Sequence, residues 1–150
     1  MNGIDIDAEE LIQAFESNHG EIQYVLDRQT GEVIPMPTDG SDFPIEDELR
    51  ELIEANFGTR FIRIEPVTSS EGWNVMSSFV EQLPNGETAS RLARVIEGKS
   101  PFRRFKDELL NYPKLREDWF RFHEEAFVKI AREWLESHEI EAALKRRRQP

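Results

Sequence analysis

The chain contains no cysteine, which excludes disulfides, thiolate zinc sites, Cys-bound iron–sulfur clusters and cysteine nucleophiles together. It has no apolar run approaching the roughly 18 residues that cross a bilayer. Its first 20 residues carry acids where a secretory signal would have a basic start and an apolar centre. The expected compartment is therefore the cytoplasm, and no membrane association is expected. No G-x-G-x-x-G, G-x-S-x-G or H-E-x-x-H pattern occurs. Gly98-Lys99-Ser100 copies the end of a phosphate-binding loop, but Ala93 stands where that loop needs its first glycine, and a helical pattern precedes it. His19, His123 and His138 are too far apart to pair on one helix turn and read as structural or surface residues. Asp39, Asp42 and Asp47 lack the glycine and terminal Glu of an EF-hand loop and fit turn chemistry better. No metal and no cofactor is implied.

Lysine is also missing, but only from one part of the chain. Residues 1–90 hold 4 Arg and no Lys against 19 acids, a net charge of −15, whereas residues 91–150 hold 15 cations against 11 acids, a net of +4. A uniformly acidic protein repels nucleic acid at long range, whereas a bipolar one can present a basic face. The simpler expectation is that the two regions attract each other on folding. The length of 150 residues suits one domain, and 38% hydrophobic with 33% charged residues is a globular composition. A very soluble monomer or small homo-oligomer is expected.

The hydrophobic spacing predicts a helix over 6–18, with Asp7 as cap and Ile6 and Leu11 as a hydrophobic staple. A β-hairpin follows over 22–34, turning at Gly31, with Pro35 and Pro37 ending its second strand. A helix over 44–57 starting at Pro44 and a third strand over 60–65 come next. Thr68 and Glu71 have capping-box spacing ahead of a helix over 69–83. Helices over 87–97, 101–110 and 113–136 complete the pattern, and 139–148 extends or frays from the last of them as a basic tail. The expectation is a single α+β domain. A small antiparallel sheet, hairpin plus third strand, packs with about six helices, and the C-terminal half is all helical.

One short segment stands out. Gly98-Lys99-Ser100-Pro101-Phe102-Arg103-Arg104-Phe105-Lys106-Asp107 places four cations and two aromatics at a helix start. Ser100 has the position of a cap before Pro101, and cations there oppose the helix dipole by about 0.3–1 kcal/mol each when exposed. A nearby anion would relieve that, either a carboxylate of this chain or a bound phosphate or acidic partner. Phe102, Phe105 and Leu109 share a helical face and are expected in the core, as are Trp119, Phe122, Ile130 and Trp134 on the last helix.

The sequence resembles the bacterial uncharacterised protein family 0158. The specific residues are Gly98-Lys99, Phe102 to Asp107, Pro113, Leu115-Arg116, Trp119 and Phe122. Tyr24 to Asp27, Thr30 to Val33 and the Met76 to Phe79 helix support the match. The resemblance implies a small cytosolic bacterial protein and brings no activity with it.

The leading expectation is a non-enzymatic interaction or regulatory domain that binds an acidic partner or anion through Lys99, Arg103, Arg104 and Lys106. The alternatives are a nucleic-acid-associated protein using the basic 99–121 region, and an enzyme in which Arg103 or Arg104 stands beside a perturbed carboxylate.

Overall fold

Asp7 ends a strand and starts a helix at the same time. In the computed structural model, which describes residues 3–16, 22–37 and 47–146, Ile4–Asp7 is strand β1 and Ala8–Glu16 is helix α1. The Glu10 N–H donates to Asp7 Oδ1 at 3.1 Å, so the expected cap is present although the helix starts later than the spacing suggested. The remaining elements are β2 (Ile22–Asp27), β3 (Val33–Pro37), α2 (Asp47–Ala55), β4 (Phe61–Ile64), α3 (Ser69–Glu81), α4 (Glu87–Glu97), α5 (Pro101–Leu109), α6 (Pro113–Ser137) and β5 (Ala142–Lys145). The fold is α+β. Six helices accompany a three-stranded antiparallel sheet and a two-stranded parallel pair among the described residues.

The backbone divides into two compact units. One comprises Met1–Val67 with Val128–Pro150, the other Thr68–Phe127. In the first unit β2 is the central strand, with β3 and β4 antiparallel on either side. Val25, Ile34 and Phe61 on one sheet face form a buried cluster with Ile53 of α2. β3 continues through Pro35 and Pro37, which pair with Tyr24 and Ile22, where the sequence suggested that Pro35 ends the strand. β3 is an edge strand, and a proline there can spend its missing N–H on the open side.

The β2–β3 turn is tightly specified. Gly31 has φ +84°, and a Cβ on it would stand 2.1 Å from the Asp5 carbonyl oxygen of β1, so both conformation and close approach require glycine. At the end of β2, Asp27 is buried at 3% exposure. Arg60 grips it with Nε to Oδ1 at 3.0 Å and Nη2 to Oδ2 at 2.9 Å, and the Gln29 N–H donates to Oδ1 at 2.9 Å. Burial alone would raise the Asp27 pKa. The hydrogen bonds from Arg60, Gln29 and Thr30, with the charge of Arg60, outweigh it and hold the carboxyl below its ordinary value.

The C-terminal segment does not fray from α6 but forms β5, which pairs in parallel with β1 and sets Lys145 opposite Asp7. The reversal that permits this is a Schellman motif. Ile140 N–H donates to Leu135 O at 2.9 Å, Glu139 N–H donates to Glu136 O at 3.0 Å, and Glu139 occupies the left-handed region at φ 56°. Glutamate holds a position where glycine is the usual signal, so no stop is legible there from the residues alone. Arg147 and Arg148 of the expected basic tail, His19, and the expected helix start at Pro44 lie outside the described residues.

In the second unit Thr68 accepts from the Glu71 N–H at 3.1 Å while the Glu71 side chain accepts from the Thr68 N–H at 2.9 Å, the expected capping box. Met76, Phe79, Val80, Leu92, Ile96, Phe105, Leu109 and Trp119 form its buried core. Edge-to-face contacts join Phe79 to Trp119 at 5.3 Å and Phe105 to Trp119 at 5.0 Å. Trp73 Nε1 donates to the Ile96 carbonyl at 2.7 Å, which fastens α3 to the end of α4.

Candidate functional site

The turn between α4 and α5 is made by backbone rather than by a cap. The Gly98 N–H donates to Val95 O as α4 ends, and Ser100 enters the left-handed region at φ 48°, ψ 53° just before Pro101 fixes the first helical φ. A non-glycine residue there costs about 1–2 kcal/mol. The Ser100 side chain makes no capping hydrogen bond, contrary to the sequence expectation, because the left-handed backbone is not the extended conformation from which a cap reaches back.

The F-R-R-F run is then divided among four surroundings. Phe105 is fully buried beside Phe79 and Trp119. Phe102, expected in the core with it, is 39% exposed and lays its ring edge over Gly72 of α3, where a Cβ would come within 3.3 Å of Cε1. Arg104 turns back over Gly98. A Cβ on that glycine would stand 3.3 Å from Arg104 Nη1 and 3.7 Å from the Val95 carbonyl oxygen. The guanidinium therefore lies by the last carbonyls of α4, where a cation is favoured.

Arg103 and Lys106 lie on the opposite flank, three residues apart on one face with Leu110 four residues further on. Leu110 is 62% exposed. Phe102 joins this face through Lys106, its neighbour one turn on. The four cations expected as a site are thus all exposed, with Arg103 and Lys106 together and Arg104 apart from them.

Three other cations of the same unit, Arg91, Arg121 and Arg116, have partners. Arg91 Nε lies 2.6 Å from Glu108 Oε2, to which the Tyr112 hydroxyl also donates at 3.3 Å. The Arg91 hydrogen bond holds the Glu108 carboxyl below its usual range. Arg121 bonds Asp118 at 2.5 Å, and the Arg116 guanidinium lies 4.9 Å over the ring of Phe120, itself 52% exposed. Lys99, Arg103, Arg104 and Lys106 make no ion pair with any described residue. The shifted carboxylates, Asp27 and Glu108, answer to Arg60 and Arg91 and not to Arg103 or Arg104.

Sequence reasoning singled out neither Leu110 nor Phe120, and it named Arg116 only for the family resemblance and as part of the basic 99–121 region. The signal for Phe120 was present, since a residue directly after the buried Trp119 points about 100° away around the helix. An open groove of about 390 Å³ lies near the start of α6, lined by Thr88, Tyr112, Pro113, Lys114, Leu115 and Asp118. Among the described residues no cluster of three His, Asp or Glu side chains could hold a metal, and no helix is long and apolar enough to cross a membrane. Of the aspartates weighed as a cation loop, Asp39 and Asp42 lie outside the described residues and Asp47 is exposed at the start of α2. His123 stacks on Phe127 at 4.4 Å, and His138 Nδ1 lies 3.0 Å from the Trp134 carbonyl oxygen.

Comparison with known proteins places these features in a family. The model of the uncharacterised protein family UPF0158 matches residues 1–149. The UPF0158 protein PA5073 of Pseudomonas aeruginosa is 30% identical over 143 residues, which cover 95% of this chain and 89% of that protein. No solved structure matches.

Proposed function

The chain belongs to the uncharacterised protein family UPF0158, whose name carries no activity, and from the geometry of α5 we propose that it is a non-enzymatic interaction domain for an acidic partner. One observation carries this reading. Arg103 and Lys106 are exposed without an ion pair among the described residues, and they share their face of α5 with exposed Phe102 and Leu110. Cations beside accessible apolar area suit a partner that offers carboxylates around an apolar anchor, since complementary charge sets the encounter and buried apolar area holds it.

Binding of a fluorescent polyglutamate peptide tests it by anisotropy. Wild type should bind with an affinity that falls as salt rises, and Arg103→Glu/Lys106→Glu should weaken binding about tenfold or more while circular dichroism stays native. Equal affinity in a folded variant would remove α5 as the contact surface.

A second reading draws on Arg116 over the exposed Phe120 ring. An aromatic face with an arginine beside it can stack an unpaired base, worth about 1–3 kcal/mol. A single-stranded oligonucleotide titrated in parallel decides between the two. Tighter binding to it than to the peptide, lost in Phe120→Ala, would assign the surface to nucleic acid.

A further inference from the structure

All the exposed large hydrophobic side chains among the described residues fall in two places. Phe102, Leu110 and Phe120 lie on α5, just after it, and on α6, the first two near Arg103 and Lys106, whereas Leu52 (39% exposed) lies on the acidic helix α2 and Phe57 (52% exposed) just after it. The α2 sequence Asp47-Glu48-Leu49-Arg50-Glu51-Leu52-Ile53-Glu54-Ala55 holds four acids against one arginine. Ile53 points into the core and Leu49 and Arg50 flank it, so Glu48, Glu51, Leu52 and Ala55, which neighbour one another at three- and four-residue spacings, form the solvent face. The same logic on α5 assembles Phe102, Arg103, Lys106 and Leu110. Asp107 neighbours Arg103 and Leu110 at four- and three-residue spacings, so the α5 face holds Arg103 and Lys106 against one acid and is net positive, whereas the α2 face, with Glu48 and Glu51, is negative.

We propose that the acidic partner is a second copy of the chain, whose α2 lays Glu48, Glu51 and Leu52 against Phe102, Arg103, Lys106 and Leu110 of α5. This rests on the reading of α5 as a contact surface and names its partner. Burial of Leu52 between Phe102 and Leu110 removes apolar area from water on both sides, while the glutamates meet Arg103 and Lys106. Like surfaces repel, α2 against α2 and α5 against α5, so the charges select the unlike pairing. Because each copy carries both surfaces, the contact is heterologous and every copy both offers and accepts it.

The test uses two charge-reversed full-length chains. Glu48→Lys/Glu51→Lys makes both surfaces basic, and Arg103→Glu/Lys106→Glu makes both acidic. Sedimentation equilibrium of wild type should show self-association that weakens with salt, and each variant alone should associate about a hundredfold more weakly. Mixing the two variants should restore association, because every α2–α5 pairing between them is again of opposite sign.

Wild type that stays monomeric into the millimolar range would overturn the proposal, as would variants that associate like wild type, or a mixture that stays monomeric. Should a reversed chain fail to fold, Glu48→Gln/Glu51→Gln and Arg103→Gln/Lys106→Gln replace them, each expected to weaken association with no recovery on mixing. If wild type is monomeric yet Arg103→Glu/Lys106→Glu still loses polyglutamate, the second copy is excluded and the interaction surface stands. If polyglutamate binding is unchanged as well, both fall.

Discussion

Replacing Arg60 by methionine isolates the ion pair at the end of β2. Methionine keeps much of the apolar stem and removes both guanidinium hydrogen bonds, Nε to Oδ1 at 3.0 Å and Nη2 to Oδ2 at 2.9 Å. Asp27 keeps the Gln29 N–H at 2.9 Å but is left buried without a cation. Breaking a buried pair costs about 3–5 kcal/mol, and because the Arg60 side chain is 26% exposed the lower end applies, about 3 kcal/mol. Asp27→Asn in the Arg60→Met background removes the stranded charge and should return part of that loss, giving a coupling of about 2 kcal/mol in a double-mutant cycle.

The pH dependence has a definite sign. The folded Asp27 pKa is depressed, so its stabilisation is present above the unfolded value of about 3.9 and is lost as pH falls through the lower folded value. Wild type and Asp27→Asn should therefore differ at pH 7, and the difference should shrink from about pH 4 downward as pH approaches the lower folded value. Urea unfolding at both pH values gives the energies, and hydrogen exchange at the Arg28 N–H, bonded to Arg60 O at 2.8 Å, reports the site itself. A coupling under about 0.5 kcal/mol at pH 7, or a difference that persists undiminished at pH 3, would refute the reasoning.

Two further substitutions probe backbone conformation. Gly31→Ala should destabilise by about 3 kcal/mol or more, since a Cβ 2.1 Å from Asp5 O forces β1 away in addition to the left-handed cost, and exchange protection should fall first at the Ile4 N–H, bonded to Glu141 O. Ser100→Gly, and separately Glu139→Gly, should each stabilise by about 1 kcal/mol by relieving positive φ values of 48° and 56°; an unchanged or lower urea midpoint in both would show that these turns carry no strain.

Local chemistry was legible wherever its determinants are neighbours in sequence. Thr68 and Glu71 specify the start of α3 because a capping box closes within one turn. The glycine that turns the hairpin was read correctly, although the carbonyl pressed against it, from Asp5, could not be seen. β5 was missed although Ile140, Ala142 and Leu144 alternate with polar or exposed positions, because a four-residue strand is too short to outweigh a preceding helix pattern and its partner β1 lies at the other end of the chain. The site was half legible. The cation cluster was evident, but the separation of Arg104 from Arg103 and Lys106 depends on the room above Gly98, and the half-exposed position of Phe102 depends on a glycine in a different helix. Acidic α2 as a second surface was hidden by its ordinary composition, since Leu52 differs from Ile53 only in phase.

The parallel pair of β1 and β5 also sets a timetable for synthesis. Ala142–Lys145 follows Ile4–Asp7 by most of the 150-residue sequence, so at about 5–20 residues per second the earlier strand waits roughly ten seconds for its partner. Residues 68–127 are contiguous and can close their core during that interval. The waiting strand is Ile4-Asp5-Ile6-Asp7, and its alternate aspartates place charge along an unpaired edge that would otherwise recruit strands from neighbouring nascent chains. Asp7, which caps α1 and stands opposite Lys145 in the finished fold, thus serves first, with Asp5, as a gatekeeper on the ribosome.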